Sequence, residues 1–436
     1  MSARNRELAT LLLAGLVAST AFASAWISGL ATVDYGWLPW AAVLGGIFLV
    51  AHLVARWTVP DADPTLLPLV ALISAIGLVF VYRIEPDDGR RQLVWIAVGV
   101  AAFALVLFWL RYDYRVLERY KYVFGVSAIV LLMLPSVPGL GQRVNGVKLW
   151  VDIGPLRFQP GEIAKIFLVI FLAGYLRDKR EALARGRLKD FGPLLAIWGA
   201  AMLVLVQTSD LGSALLNFGI FLAMVYAATG RLSYVLAGLT LFAGGSALLY
   251  DSLSRVQQRV TVWLQPWTDE KVHCSINGLL EYRQNCDSYQ LVKSLYSIAN
   301  GGYGGTGLGK GTFTTVDGTQ LIPYLNTDFV YSAIAQELGL IGAAAVLLLF
   351  LALVARSMRV SLVAHDGFSK LLAAGLGFGF ALQTFIIVGG VLRIIPLTGI
   401  TLPFISYGGS SVVANFVLLA GLLLVSDRAN RDRIRA

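Results

Sequence analysis

Long apolar segments follow one another along most of this chain, and they constrain its fold more than any other feature. A helix needs about 20 apolar residues to cross the hydrocarbon core of a bilayer. The candidate segments lie near residues 8–30, 39–57, 66–83, 93–110, 121–138, 161–176, 192–207, 211–229, 233–250, 329–355, 370–391 and 404–426. They predict an all-α polytopic membrane protein with about 12 transmembrane helices.

Composition excludes the soluble classes. Only 14% of the 436 residues are charged, whereas soluble domains are typically about 25% charged. The first segment follows Arg4 and Arg6 and is longer than the apolar part of a usual signal peptide. We therefore expect a retained anchor, with a cleaved signal peptide as the alternative.

The basic residues predict which side each connection faces. Lys and Arg concentrate in three stretches, 111–121, 177–190 and the tail 427–436. Cytoplasmic loops collect Lys and Arg, so these stretches and both termini are predicted to be cytoplasmic. Most of the net charge of +9 is then explained by the cytoplasmic stretches, which would also attract anionic membrane lipid. No nucleic-acid partner is indicated.

The remaining connections are predicted to lie outside the cell, and they differ in character. The stretches 141–162, 207–210, 251–328 and 393–411 carry Pro, Gly, aromatic residues and isolated charges rather than basic runs. The positive-inside rule does not account for polar residues in these outer stretches. Their convergence on one face predicts an extracytoplasmic site.

Several ionisable residues stand at the outer ends of predicted spans. Glu162 and Lys165 are three apart and share a helix face. They are either a neutralising pair that fixes helix packing or part of a cavity wall, with Lys165 near an anionic substrate. Asp210 is either a helix N-cap or a site residue.

The segment 322–342 contains two further acids, Asp328 and Glu337. On a straight helix their side chains would point to opposite faces, with Glu337 roughly 13 Å deeper. Asp328 is therefore the candidate for the cavity, and Glu337 is expected to make a buried structural hydrogen bond.

A glycine-rich stretch, NGGYGGTGLGKGT at 300–312, contains the spacing GxxxxGK from Gly304 to Lys310. Gly311 stands where a nucleotide-binding loop needs Ser or Thr, and no strand is predicted before it. A nucleotide site is rejected. Backbone N–H groups that cradle an anion, a flexible lid and a plain loop stay open.

The only two cysteines, Cys274 and Cys286, lie twelve positions apart in one predicted outer loop. A disulfide persists outside the cytoplasm, so we expect one here. Only His273 is nearby, and no metal site is predicted.

Four stretches in family order resemble the SEDS family, the RodA/FtsW/SpoVE-like proteins of shape, elongation, division and sporulation. They are NGVKLWVDIGPLRFQPGEIAKIF, SYQLVKSLYSIANGGYGGTGLGKG, IPYLNTDFVYSAIAQELGLIG and RIIPLTGITLPFISYGGSS. The resemblance runs from about residue 66 to 426. It implies a ten-span core, so that the two spans within 1–65 are additional.

The resemblance also implies the domain organisation and the activity. The first seven core spans would occupy 66–250, the large extracytoplasmic loop 251–328, and the last three spans with the basic tail 329–436. The implied activity is that of a peptidoglycan glycosyltransferase of the bacterial inner membrane, in cell elongation or division. Its substrate would be lipid II, an undecaprenyl-diphosphate-linked disaccharide-pentapeptide, and its partner a class B penicillin-binding protein.

The resemblance implies a catalytic acid in the outer loop. Asp269 in PWTD matches the family's Trp-x-Asp and would take the proton from the acceptor 4-hydroxyl in an inverting single displacement. About twenty residues separate it from Tyr289, where the family has only a few, and this insertion leaves Asp287 as the alternative base.

Other candidate substrate contacts are Lys148, Arg393, Ser406 and Ser410. Lys148 precedes Leu149, where the family has Arg, and Gly161 replaces the family's Ser. Arg393 is a candidate diphosphate partner or an interfacial charge. The two serines line the cavity or permit close helix packing.

A divalent cation, Mg or Mn, is an open alternative for offsetting the diphosphate charge, although no dedicated ligand set is visible. Two rival functions also stay open. A lipid II flippase or transporter would show intramembrane charges too, but no inverted repeat is apparent. A non-catalytic scaffold for the penicillin-binding protein would not need Asp269.

Overall fold

The computed structural model describes residues 2–28, 35–144, 147–153, 156–186, 188–269, 271–274, 278–315 and 319–435. Helices dominate these residues. They are α1 Ala3–Ile27, α2 Leu38–Thr58, α3 Leu66–Ile84, α4 Pro86–Leu110, α5 Val116–Arg119, α6 Lys121–Met133, α7 Pro160–Ala184, α8 Gly192–Gln207, α9 Leu211–Thr229, α10 Leu232–Ser252, α11 Ser254–Leu264, α12 Tyr289–Gly301, α13 Val330–Val363, α14 Gly367–Val391 and α15 Gly409–Arg435.

Each apolar segment predicted from the sequence coincides with one of these helices. Within the described residues, nine helices are long and apolar enough to cross a membrane, namely α1 to α4, α9, α10 and α13 to α15. Helices α6 and α8 are apolar but shorter, and α7 carries a charged second half. The prediction of a helical multi-pass membrane protein is confirmed.

Several predicted boundaries differ from the structure, since α4 begins at Pro86 rather than at 93 and α6 ends at Met133 rather than at 138. Helix α7 continues to Ala184 and α13 continues to Val363, because charged residues extend a helix beyond the bilayer without breaking its hydrogen bonds. The last span was predicted to begin at residue 404, but α15 begins at Gly409. The preceding residues 402–406 form a buried non-helical turn in which Phe404 has a φ of 63°.

The expectation of an all-α chain is wrong for two connections between the spans, which contain small antiparallel sheets. Strands β1 Gly141–Val144, β2 Val147–Ile153 and β3 Leu156–Phe158 form one sheet in the order β1-β2-β3. Strands β4 Val272–His273 and β5 Leu280–Glu281 form the other. The longest strand, β2, is rich in β-branched and aromatic residues, which favour strands: Val147, Trp150, Val151 and Ile153.

The connections predicted to be cytoplasmic meet at one end of the bundle, here named the basic end. The backbone N–H of Asp61 donates to Asp427 Oδ1 at 2.8 Å, which joins the α2–α3 connection to the C-terminal helix. Arg115 and Asp366 form an ion pair at 3.5 Å, which joins the α4–α6 connection to the start of α14.

The other connections meet at the opposite end, here named the loop end. Asn326 Nδ2 donates to Asp88 Oδ2 at 2.7 Å, and the backbone N–H of Gln159 donates to Ser410 Oγ at 2.8 Å. The alternation predicted from loop charges is therefore present in the packing.

Burial separates central spans from peripheral ones. Helices α3, α14 and α15 bury most of their residues, whereas α10 buries none of its described residues. Helices α1 and α2 are joined by a buried group in which Arg4 and His52 both contact the carboxylate of Glu7, with His52 Nδ1 at 2.7 Å. The Phe48 ring of α2 in turn packs on the Phe416 ring of α15, with ring centroids 6.1 Å apart. The N-terminal spans are thus packed onto the core.

The glycine-rich stretch docks on a break in α13. Gly339 has a φ of 66° and interrupts the helix. At this break the carboxylate of Glu337 accepts hydrogen bonds from the backbone N–H groups of Gly309 and Gly311, both at 2.9 Å. The glycine-rich N–H groups do cradle an anion, and that anion is the chain's own Glu337. The predicted buried structural hydrogen bond of Glu337 is confirmed.

We expect Glu337→Gln to destabilise the docked glycine-rich stretch by about 2–4 kcal/mol, because an amide loses the charge that strengthens two buried hydrogen bonds. Protease cleavage within 301–315 should become faster and the thermal midpoint should fall. Glu181→Gln is the matched control, since the Glu181 side chain is 86% exposed. Equal protease resistance of Glu337→Gln and the wild type would contradict the structural role.

Candidate functional site

A charged residue pair opens the site at the loop end of α7. Pro160 and Glu162 occupy the first turn of that helix, where proline and an acid are both favourable. Lys165, one turn on, is buried and donates to Glu162 Oε2 and to Gln383 Oε1, each at 2.9 Å. Their predicted position on one helix face is confirmed. The ammonium group is held between α7 and α14.

Asp210 lies between α8 and α9 and is buried. Its Oδ1 accepts from the backbone N–H of Ser213 at 3.0 Å, so the predicted N-cap is present. Burial raises the pKa of the Asp210 carboxyl, and the nearby Glu162 charge adds to that shift. The Arg259 guanidinium acts in the opposite direction. Asp210 is thus both a cap and a neighbour of the charged residues.

Arg259 approaches the same place from α11. Its Nη1 donates to the carbonyl oxygen of Thr398 at 3.2 Å, in the connection between α14 and α15. The Asp210 and Asp328 carboxylates both interact with its guanidinium, while burial lowers the pKa of Arg259. One cation therefore stands between two acids from different elements.

Asp328 precedes α13 and is partly buried. A Cβ added at Gly399, whose φ is 74°, would lie 3.6 Å from Asp328 Oδ2. The α14–α15 connection therefore passes close to this carboxylate. Asp328 is in a turn and not on the helix of Glu337, so the expected straight-helix geometry is wrong because α13 begins only at Val330.

We name five residues the charged cluster: Glu162, Lys165, Asp210, Arg259 and Asp328. Each interacts with at least one other member. The three acids and two cations come from α7, the α8–α9 turn, α11 and the turn before α13. Such a group can bind a polar ligand at the end of the bundle, and its cations can offset negative charge on it.

Burial raises the pKa of Asp328 from 3.8 to about 6, with the Arg259 guanidinium partly opposing the shift. Because the pKa is higher in the folded state, protonation of Asp328 favours folding. That contribution is complete below about pH 3.8 and is lost as pH rises through about 6.

We therefore expect the solubilised wild type to lose thermal stability relative to Asp328→Asn between about pH 4 and pH 6, because asparagine does not titrate. The difference should be constant above about pH 7. Thermal midpoints of both proteins, measured at half-unit pH steps, check this. A difference that stays flat across the whole range would contradict the buried titration.

A large groove leads away from the charged cluster between α8, α9, α10 and α11. Its volume is about 1070 Å³, above the 300–1,000 Å³ of most small-molecule pockets. Arg259 is the only charged side chain among its described lining residues. Leu211 and Thr398 line it beside that arginine. An apolar chain in this groove would thus place a polar end at the charged cluster.

Helix α11 also leads into the segment that contains Asp269. Arg393 donates from Nε to the carbonyl oxygen of Trp263 at 2.7 Å and from Nη2 to that of Leu264 at 2.9 Å. Its guanidinium carbon lies 5.4 Å from the Trp267 ring centroid. Arg393 therefore holds the end of α11, and its predicted contact with diphosphate stays a prediction.

Asp269 lies five residues beyond the end of α11 and is exposed. Within the described part of the chain, its side chain makes no ion pair or hydrogen bond, and none connects it to the charged cluster. The preceding Trp267 donates from Nε1 to Tyr296 Oη at 3.1 Å, which ties this stretch to α12. Asp269 is thus presented to solvent from an anchored loop.

The insertion after Asp269 is closed by a disulfide between Cys274 and Cys286, whose Cα atoms are 5.9 Å apart. Asp287 follows directly and is half-buried. Among the described residues, Cys274, Cys286 and Asp287 are the only group with metal-ligand spacing. A disulfide has no thiolate to offer, so these donors do not fit a metal.

The remaining predicted residues are engaged by the chain itself. Ser406 Oγ donates to the carbonyl oxygen of Thr327 and accepts from the backbone N–H of Leu402. Ser410 Oγ accepts from Gln159. Lys148 lies in β2 opposite Arg143. The structure thus places both serines in support of the α14–α15 connection, and their contacts with substrate stay predictions.

Arg259 is the main site residue that the sequence analysis missed. It lies in the segment 251–328, which was predicted to be one loop but contains α11. A signal was present, because Val256, Val260 and Trp263 recur at helical spacing with Arg259 between them. Gln383, which contacts Lys165, gave no signal inside an apolar span.

Comparison with known proteins identifies relatives of the whole chain. The family model for FtsW, RodA and SpoVE, described as a cell cycle protein, matches residues 63–431. The peptidoglycan glycosyltransferase RodA of Mycobacterium tuberculosis strain H37Rv is 40% identical, over 98% of this chain and 91% of that protein.

Solved structures show the same fold. A chain of a peptidoglycan synthase complex that coordinates polymerization and crosslinking matches with a TM-score of 0.69 and 28% identity, over 86% of this chain and 99% of that one. The Thermus thermophilus rod shape determining protein RodA matches with a TM-score of 0.61 and 26% identity, over 87% of this chain and 99% of that one.

Proposed function

This chain belongs to the family of FtsW, RodA and SpoVE cell cycle proteins, and we propose that it is a peptidoglycan glycosyltransferase that polymerises lipid II. One observation of the structure carries the substrate assignment: the apolar groove ends at the charged cluster. A lipid-linked diphosphate needs both, since its chain is apolar and its head is anionic. The activity serves cell elongation or division.

The proposed topology has 12 spans, with both termini in the cytoplasm and the loop end outside. Lys and Arg concentrate at the basic end, which supports this orientation. The family match begins at residue 63, which supports two additional spans in 1–65 before a core of ten. That core comprises seven spans in 66–250, the outer loop 251–328, and three spans with the tail in 329–436.

In the proposed complex the undecaprenyl chain occupies the groove and the diphosphate lies at the charged cluster. Arg259 lines the groove and belongs to the cluster, so it is the residue best placed to meet the first phosphate. Guanidinium groups bind phosphate oxygens through two hydrogen bonds. Lys165 would add a second positive charge, and Glu162 and Gln383 hold its ammonium group in position.

The proposed reaction is a single displacement with inversion. The acceptor 4-hydroxyl oxygen bonds to the donor anomeric carbon while the bond from that carbon to the diphosphate oxygen breaks. The hydroxyl proton passes to the Asp269 carboxylate. Undecaprenyl diphosphate leaves with the bonding electrons, and the two cations offset its charge. Asp269 is exposed on an anchored loop, where a bulky glycan acceptor can reach it.

We also propose a class B penicillin-binding protein as partner, because a relative of known structure belongs to a complex for polymerization and crosslinking. A divalent cation stays an alternative for sharing the diphosphate charge. Among the described residues, the only Asp, Glu, His and Cys side chains grouped closely enough to bind a metal are those at the disulfide, which do not fit one. The steps above are therefore assigned to the chain's own residues.

The decisive experiment uses the purified full chain with labelled lipid II, with and without such a partner. We expect long glycan strands on gels when the pair is present. A flippase would instead move labelled lipid II across vesicles and form no polymer under either condition. That result would overturn the glycosyltransferase assignment.

A further inference from the structure

A second cavity lies at the basic end, far from the charged cluster. It has a volume of about 650 Å³, opens to the surface, and is lined by α1, the residues before α3, and the ends of α13 and α15. Four arginines from three helices line it: Arg6, Arg356, Arg359 and Arg433. The cavity is named the arginine pocket.

Only one acid lines the arginine pocket, and it is already paired. Asp63 Oδ2 accepts from Arg356 Nε at 2.9 Å and from its Nη2. The other three arginines have no acid partner among the residues that the structure describes. The pocket therefore combines a concave shape with three uncompensated positive charges.

Topology alone does not explain this arrangement. The positive-inside rule accounts for arginine at the basic end, and acids compensate some of the arginines on that face. Arg177 contacts Glu118 at 2.6 Å, and Arg431 contacts Asp427 at 2.9 Å. Arg6, Arg359 and Arg433 differ from these in having no ion pair among the described residues, and they converge on one concave lining.

The chemistry of the lining points to a phosphate. Arginine forks match phosphate oxygens, and basic pockets between transmembrane helices on the cytoplasmic side suit anionic head groups. The rim supplies apolar contacts through Ala9, Val360 and Val363, which suits the glycerol and acyl part of a lipid. A free phosphate would not use that rim.

We propose that the arginine pocket binds the phosphate of an anionic phospholipid. The bound head group joins Arg6 of α1 to Arg359 and Arg433 of the core. This gives the N-terminal spans a role in a lipid-dependent attachment to the core. The site is separate from the glycosyltransferase chemistry and does not depend on it.

The test compares lipid binding by the full chain in phosphatidylcholine nanodiscs titrated with phosphatidylglycerol. We expect the double variant Arg6→Gln/Arg359→Gln to bind phosphatidylglycerol about thirtyfold more weakly than the wild type, at about fivefold per arginine. Arg111→Gln/Arg119→Gln is the matched control, because it removes the same charge from the same face outside the pocket. The control should change affinity less than about threefold.

Further measurements distinguish a loss of binding from a loss of folding, and a lipid ligand from free phosphate. Arg6→Lys/Arg359→Lys keeps the charge and should retain most of the affinity, while an unchanged thermal midpoint of the Gln variant in pure phosphatidylcholine shows that it folds. Inorganic phosphate should displace phosphatidylglycerol only at high concentration. Equal lipid affinity of the Gln variant and the wild type overturns the site, and tight binding of inorganic phosphate without lipid selectivity overturns the lipid assignment.

Discussion

Asp269→Asn should lower lipid II polymerisation by the purified enzyme and its partner about 10²- to 10⁴-fold, the usual contribution of a general base. Asparagine keeps the shape of the side chain and cannot accept the acceptor's proton. The substitution should leave folding intact, because Asp269 is exposed. Initial rates of strand formation, with lipid II binding measured in parallel, check that chemistry rather than affinity is lost.

Asp287→Asn is the comparison that makes this result informative. Asp287 follows the disulfide and is half-buried, so we expect less than about a threefold loss. The reverse outcome would transfer the role of base to Asp287. Full polymerisation by both variants would show that neither acid is the base and would favour a scaffold whose partner makes the strand.

Arg259→Gln is expected to have the second-largest effect, a loss of about 10²- to 10³-fold, which is typical when one donor to developing charge is removed. Arg259 interacts with Asp210 and Asp328 and lines the groove. Its removal both leaves two acids without their cation and takes a positive charge from the leaving diphosphate. Arg259→Lys should restore part of the rate, because it returns the charge without the bidentate fork.

The pH dependence distinguishes this role from a merely structural one. The Arg259 guanidinium lowers the pKa of Asp328, which burial raises to about 6. In Arg259→Gln the ionisation of Asp328 should move to higher pH, and Arg259→Lys should move it back. Arg255→Gln, one turn earlier on α11, is the matched control and should change the rate less than about threefold. An equal loss in that control would indicate damage to α11 as a whole.

Short-range sequence patterns were sufficient to predict the local geometry of part of the site. The three-residue spacing of Glu162 and Lys165 predicted their shared face, and the ion pair is present at 2.9 Å. Of the two roles left open for Asp210, the N-cap is present in the structure. Each inference rests on neighbours within one helical turn, where geometry follows from helix periodicity.

The contacts that were missed all join distant parts of the chain. Glu337 fills the glycine-rich cradle from 26 and 28 residues away, and Lys165 contacts Gln383 at a separation of 218. Arg259 meets Thr398 at a separation of 139. No local pattern specifies such pairs, because they depend on which helices pack together.

By itself, the sequence determined a helical multi-pass membrane protein, the alternation of its connections between two ends, and its family. Span length and hydropathy are properties of consecutive residues in a bilayer, so they can be read directly. Only the tertiary structure decided that α11 carries Arg259 to the charged cluster. It also decided that residues 402–406 enter the bundle as a non-helical turn and that four arginines line one pocket. These outcomes depend on the packing of remote helices, because buried polar groups find their hydrogen-bond partners across the whole bundle rather than within one segment.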